Sequence, residues 1–202
     1  MIPAPLPDNE QARLAALRSY ELLDSRAERA FDDLVHLTAE SYGVPMALIS
    51  LMDADRQWFK AKCGLDACQT DRDLAFCAHA ILKPSHLLVI PDARDDPRFS
   101  GNPLVTGPPH IRFYAGCPLV DPDGYAIGTL CIIDTQPREL TEAEQDRLRL
   151  LARLVMDQAQ ARKTARAAAH HYRLREKQET ELAELRERLA EFEQTAVSDS
   201  IA

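Results

Sequence analysis

No run of about 18 or more apolar residues occurs in this sequence, so no segment reads as a membrane-spanning helix. The N-terminus, MIPAPLPDNE, lacks both a basic n-region and an apolar h-region, so it does not read as a secretory signal. Positive charge is also short: 24 Lys and Arg against 32 Asp and Glu give a formal net charge of −8. Without a basic surplus or patch, general nucleic-acid binding by phosphate neutralisation is excluded. Five cysteines (63, 68, 77, 117 and 131) form no C-x-x-C pair and are odd in number, so reduced thiols and a cytoplasmic location are expected. No P-loop, dinucleotide fingerprint, serine-nucleophile elbow or HExxH is present. With no motif to place it, enzyme activity is not expected, and no metal site or cofactor is evident.

What is present changes period along the chain. Asp8 with Gln11, Ser25 with Glu28, and Thr141 with Glu144 have capping-box spacing at three helix starts. Phe31, Leu34, Val35, Thr38 and Tyr42 share one helical face, with Gly43 as the stop. VPMALISLMD then reads as a strand buried on both faces, paired with RQWFKAKC across a break at residues 53–55. A helix starting at Asp71 to Asp73 and ending at Lys83-Pro84 precedes a short strand, HLLVIPD, and a Pro/Gly/Asp-rich loop able to serve in binding. IRFYAGCPLV and YAIGTLCIID flank DPDG, a hairpin signal.

DLAFCAHAIL, residues 73–82, carries a cysteine and a histidine two apart. Each helical residue turns by about 100°, so Cys77 and His79 project from nearly opposite sides and cannot share a metal or act as a couple. His79 lies nearer Phe76, as a structural group or as a polar tip lining a cavity. In PHIRFY, period two puts Arg112 and Tyr114 on one strand face and Phe113 with Cys117 on the other. Arg112 is expected to pair with Asp95 and Asp96, with anion binding as the alternative.

Neither Gly nor Pro occurs after Thr141. A helix over residues 141–196 would extend roughly 80 Å at ~1.5 Å per residue. Leu148, Leu151, Val155, Ala165, Ala169 and Tyr172 form one heptad stripe. Leu182, Leu185, Leu189 and Phe192 form a second, out of phase with the first, with a slip near residues 176–181. Such seams are sheltered most simply by a parallel second copy, so a homodimer is expected.

The stretches LLDSRAERAFDDLVHLTAESYGVPMALISLMDADRQWFKAKCGL, DLAFCAHAIL, VIPDARDDPRFSGNPLVTGPPHIRFYAGCPL and DGYAIGTLCIID together resemble a GAF domain of bacterial sensor kinases and diguanylate cyclases. The resemblance implies an α+β fold: an antiparallel sheet with helices on both faces, followed by a long signalling coiled coil. The division expected is a lead-in over 1–13, the GAF domain over 14–140, the long helix over 141–196 and a tail over 197–202. It also implies a small-molecule cavity under the middle helix, with Phe76, His79, His110, Arg112, Tyr114, Cys117 and Cys131 as candidate lining residues. The expected function is sensory: a ligand, or a redox change at a cavity cysteine, would be relayed through the dimeric helix to an output domain or partner. Haem-binding members use a pocket histidine, which leaves His79 or His110 as an axial candidate. Bilin-binding members have an adjacent Cys-His pair, which Ala78 interrupts here. The alternatives are a thiol enzyme resembling the free methionine-R-sulfoxide reductases and a ligand-free dimerisation spacer.

Overall fold

The structure, a computed structural model, describes the backbone of residues 1–199 and the side chains of residues 1–186. The chain divides into two compact units, Met1–Gln160 and Ala161–Ala202. The first opens with helices α1 (Glu10–Ser19) and α2 (Arg29–Tyr42), then a hairpin of β1 (Met46–Met52) and β2 (Arg56–Cys63). Strand β3 (Gln69–Asp71), a 3-10 turn at Arg72–Leu74, the five-residue α3 (Phe76–Ala80) and β4 (Leu88–Ile90) follow. A short α4 (Pro103–Thr106), a second hairpin of β5 (Phe113–Val120) and β6 (Ala126–Asp134), and the long α5 (Glu142–Asp199) complete the order.

The six strands run β3-β2-β1-β6-β5-β4, each antiparallel to its neighbours. Strands β1 and β6 are buried along their whole length, which fits their central places, because a strand covered on both faces carries a continuous apolar run. At Gly128 a Cβ would lie 2.0 Å from the Ser50 carbonyl oxygen, so only glycine lets β6 approach β1 there.

Strand alternation divides the interior into two layers. Ala47, Ile49, Phe113, Leu130 and Ile132 face α1, α2 and the start of α5, packing on Leu17, Phe31, Val35, Leu148 and Val155. Met46, Leu48, Tyr114, Cys131 and Ile133 face the other way, toward α3 and the loops around α4.

Three local expectations differ from what is observed. Of the capping boxes, the one at α5 forms: the Glu144 N–H donates to Thr141 Oγ1 (3.3 Å) and the Thr141 N–H to Glu144 Oε2 (2.8 Å). At α1 and α2 the N-caps are Asn9 and Glu28, with no side-chain cap bond. Lys60 explains the second loss. Its ammonium is fully buried and donates to Ser25 Oγ (2.8 Å), the Arg26 carbonyl (2.7 Å) and Glu28 Oε1 (2.7 Å). A buried cation must be paired, and that need outweighs a helix cap. The middle helix is also much shorter than expected. Ala75 is extended, and the Leu74 carbonyl accepts from Asn102 Nδ2 (2.9 Å) instead of from a helical N–H.

The third difference concerns the proposed dimer seam. Leu148, Leu151 and Val155 are 0%, 7% and 1% exposed and belong to the first unit's own core, so they are not available to a partner. The outward leucines of that stretch are Leu150 and Leu154. Farther along, Ala165, Ala169, Tyr172, Leu182 and Leu185 are exposed. The side chains of Leu189 and Phe192 lie outside the described residues. Among the described residues, no helix is long and apolar enough to cross a membrane.

Candidate functional site

A cavity of about 400 Å³ lies on the α3 side of the sheet. Strand β1 contributes Met46 and Leu48, β2 contributes Gln57 and Phe59, and β3 contributes Thr70. Phe76 and Cys77 come from α3, Leu104 and Ile111 from α4 and its exit, and Tyr114 and Ile133 from β5 and β6. Its volume is at the small end of the range for ligand pockets, and its wall is mostly apolar, as such pockets are. The α3 wall is braced by aromatics: Phe76 stacks on Phe99 (centroids 4.0 Å, planes 6° apart) and tilts against Tyr114 at 5.1 Å.

Behind this wall Cys77 Sγ is ringed by donors. Thr129 Oγ1 is 3.0 Å away, Ser50 Oγ and Tyr114 Oη are each 3.2 Å away, and Cys131 Sγ is at 3.9 Å. Burial pushes the Cys77 thiol up, and the surrounding donors, Cys131 first, more than reverse it, so Cys77 is the more acidic thiol of the two. Cys131 is pushed up by its contact with Cys77 and by equal burial. Burial and the two thiols also raise Tyr114 well above its ordinary value.

The sequence candidates divide three ways. Phe76 and Tyr114 line the cavity, and Cys131 sits behind Cys77. His79, His110 and Arg112 do not line it. His79 is half-buried; its Nε2–H donates to the Ile2 carbonyl (3.1 Å) and its ring meets Phe99 edge-on at 4.9 Å. Burial lowers its pKa, with Arg98 adding to the effect and the Ile2 carbonyl opposing it. His110 is exposed, with a left-handed backbone at φ 60°. Arg112 does not pair with Asp95 or Asp96. Its Nη1 donates to the Val105 (2.9 Å) and Ile111 (3.0 Å) carbonyls, clasping the end of α4, while Asp96 pairs with Arg98 at 2.6 Å. Cys117 faces the opposite layer and lines a separate groove beside Tyr20, Arg149 and Arg153; burial pushes its thiol up to about 11. Gln57, Thr70 and Cys77 were missed. The available signal for Gln57 was a polar residue sharing the period-two face of Phe59.

Among the described residues no Lys, Arg or His lines the cavity, and the one carboxylate that does, Asp66, is exposed at its rim. Haem does not fit, for want of an imidazole and of a cation for its propionates. Covalent bilin does not fit either, since its carboxylates would have no counter-charge.

A family model described as GAF domain matches residues 26–158. A curated relative, cyclic di-GMP phosphodiesterase PA2567 of Pseudomonas aeruginosa, is 43% identical over 157 residues. That match covers 77% of this chain but only 27% of the relative, so the chain spans about a quarter of it. Among solved structures, the blue-light absorbing form of the Thermosynechococcus elongatus PixJ GAF domain aligns at TM-score 0.56 and 17% identity, covering 78% of this chain and 96% of that one. A free methionine-R-sulfoxide reductase of Neisseria meningitidis, in complex with its substrate, aligns at TM-score 0.56 and 16% identity, covering 82% and 99%. These likenesses correct the expectation that the chain has no enzyme chemistry. The relative is named a phosphodiesterase and the reductase shares the fold, so a missing familiar motif does not exclude activity.

Proposed function

Because the chain belongs to the GAF domain family, we propose that it is a homodimeric regulatory module that takes up a small molecule on the α3 side of its sheet and passes the change through α5. The observation that carries this reading is the cavity itself: about 400 Å³, mostly apolar, and walled by the five-residue α3. The output best supported is turnover of cyclic di-GMP, the activity for which the 43% identical relative is named. The dimer would form along the outward residues of α5, beginning with Leu150 and Leu154. The test uses the neutral fluorophore N-phenyl-1-naphthylamine. It should brighten on entering the cavity of the full chain, and Leu65→Trp at the rim should abolish the gain. A signal unchanged by that substitution refutes uptake at this site.

A second reading has its own observation. Cys77 lies in the cavity wall with Cys131 Sγ 3.9 Å behind it, the arrangement of a nucleophilic and a resolving thiol. Thiol attack on a sulfoxide sulfur, then disulfide closure, would yield sulfide, water and a Cys77–Cys131 disulfide. The wall offers no cation for the carboxylate of an amino-acid substrate, which favours the first reading. Turnover of methionine sulfoxide that is lost in Cys77→Ser would reverse that preference.

A further inference from the structure

We infer that the cavity's ligand is an uncharged molecule with an apolar body and an amide- or lactam-like edge, an N–H beside a carbonyl, read by Gln57 and Thr70. This rests on the cavity reading above and adds the chemistry that the site selects.

Gln57 and Thr70 are directly opposite each other in the β2–β3 ladder, so their side chains leave the sheet together on the cavity face. Gln57 Oε1 and Thr70 Oγ1 are both buried and have no hydrogen-bond partner. Although neighbours, they do not bond to each other. Buried polar atoms are nearly always paired, and each exception calls for a cause. One other unpaired buried side-chain N or O atom occurs among the described residues, on Arg72, which does not line the cavity. The two orphans in the cavity therefore coincide on one spot of an otherwise apolar wall formed by Met46, Leu48, Phe59, Ile111 and Ile133.

The demands of the pair are complementary. An amide oxygen accepts, so it calls for a donor; a hydroxyl beside it can give its hydrogen to an acceptor. An N–H next to a C=O satisfies both at once. Charge narrows the class further. With no cation in the wall, a carboxylate or phosphate would be buried without a partner, which excludes anions, nucleotides among them. Asp66 is at the solvated rim, too exposed to hold a cation inside. A bicyclic lactam is within the cavity's size.

The experiment is calorimetric titration of the full chain with 2-quinolone, its N-methyl analogue and quinoline-2-carboxylate. Masking the N–H should weaken binding about tenfold or more, because a site built to pair polar groups rejects a ligand that leaves them unpaired. The carboxylate should not bind. Gln57→Leu and Thr70→Val should erase the preference for the N–H form, with the N-methyl analogue then binding at least as well as the parent. Neither variant should melt below the parent chain, since each removes an unpaired polar atom. If the N-methyl analogue binds as tightly as 2-quinolone, or the variants keep the preference, the polar pair does not select the ligand and ordered water satisfies it instead. The cavity reading would then survive on the uptake of N-phenyl-1-naphthylamine. If that fluorophore also fails to enter, both readings fall.

Discussion

Replacing Leu150 and Leu154 together by glutamate tests the proposed dimer seam. The two are 53% and 50% exposed, although their helical neighbours Leu151 and Val155 are core. Steps of four and three residues from Leu150 pass through Leu154, Asp157, Ala161, Thr164, Ala168, His171, Arg175 and Gln178, and arrive at Leu182, Leu185, Leu189 and Phe192 without a slip. The phase break read from the sequence came from joining core residues to surface ones. Fully burying a leucine contributes about 1.5–3 kcal/mol, so the exposed half of each side chain is worth about 1 kcal/mol. Four such halves across two chains give about 4 kcal/mol, or roughly a thousandfold in the dimer dissociation constant. Sedimentation equilibrium measures it directly. Leu151→Ala is the contrasting variant: it should lower the melting temperature through a core cost of about 2–5 kcal/mol while leaving association unchanged. A parent chain that is monomeric at micromolar concentration would refute the reasoning. So would a glutamate variant that dimerises as well as the parent.

Two further outcomes follow from buried polar groups. Glu10 accepts from Arg13 Nε (2.7 Å) and Arg72 Nη1 (2.6 Å); burial alone would raise its carboxyl, but these bonds win and lower it from 4.5 to about 2. A depressed folded pKa adds stability above the unfolded value and loses it as pH falls through the folded one. The stability gap between the parent and Glu10→Gln should therefore be full above pH 4.5 and close toward about pH 2. The full shift is worth about 3 kcal/mol, and solvent screening brings the expected gap to about 1–2 kcal/mol. A gap from urea titrations that does not change with pH would refute it. Cys77→Ala takes away the acceptor of the Tyr114 and Thr129 hydroxyls and the partner of the Ser50 hydroxyl, and should cost about 1–3 kcal/mol beyond its small volume loss. Cys77→Ser, which keeps an acceptor there, should lose less in the same denaturation assay, and equal losses would argue against a hydrogen-bonded role.

The elements of the fold were legible because their signals are local. The apolar run of β1, the DPDG hairpin and the Thr141–Glu144 cap each need only their own neighbours, and each formed. Signals that depended on a distant partner misled. Ser25 and Glu28 had capping-box spacing, but Lys60, more than thirty residues away, claimed both side chains. Arg112 had acids nearby in sequence, and the carbonyls at the end of α4 claimed it. The site followed the same rule. Phe76 and Tyr114 came from the resemblance to the GAF family, whereas Gln57 and Thr70 become notable only through the β2–β3 pairing and the absence of partners, neither of which one strand can show.

Strand β5 supplies the physical link between cavity and helix. Its alternation sends Tyr114 into the cavity wall and Phe113 and Cys117 into the layer that holds Leu148, Leu151 and Val155 of α5. A ligand that displaces Tyr114 would pull on the β5 backbone, which also carries Phe113 into the packed layer against α5. Tyr114 is further tied to Cys77 at 3.2 Å, so α3 and β5 move as one wall. The residues of α5 that feel this are core residues, while Leu150 and Leu154, alternating with them on the same helical turn, face the proposed partner. In the proposed dimer, a rotation of that turn would change how the seam meets its copy, with no wire beyond one strand and one helix. Amide exchange of residues 148–155 should slow or quicken when 2-quinolone is added to the full chain. Exchange that changes at α3 and β5 alone would confine the ligand's effect to its own layer and break the link.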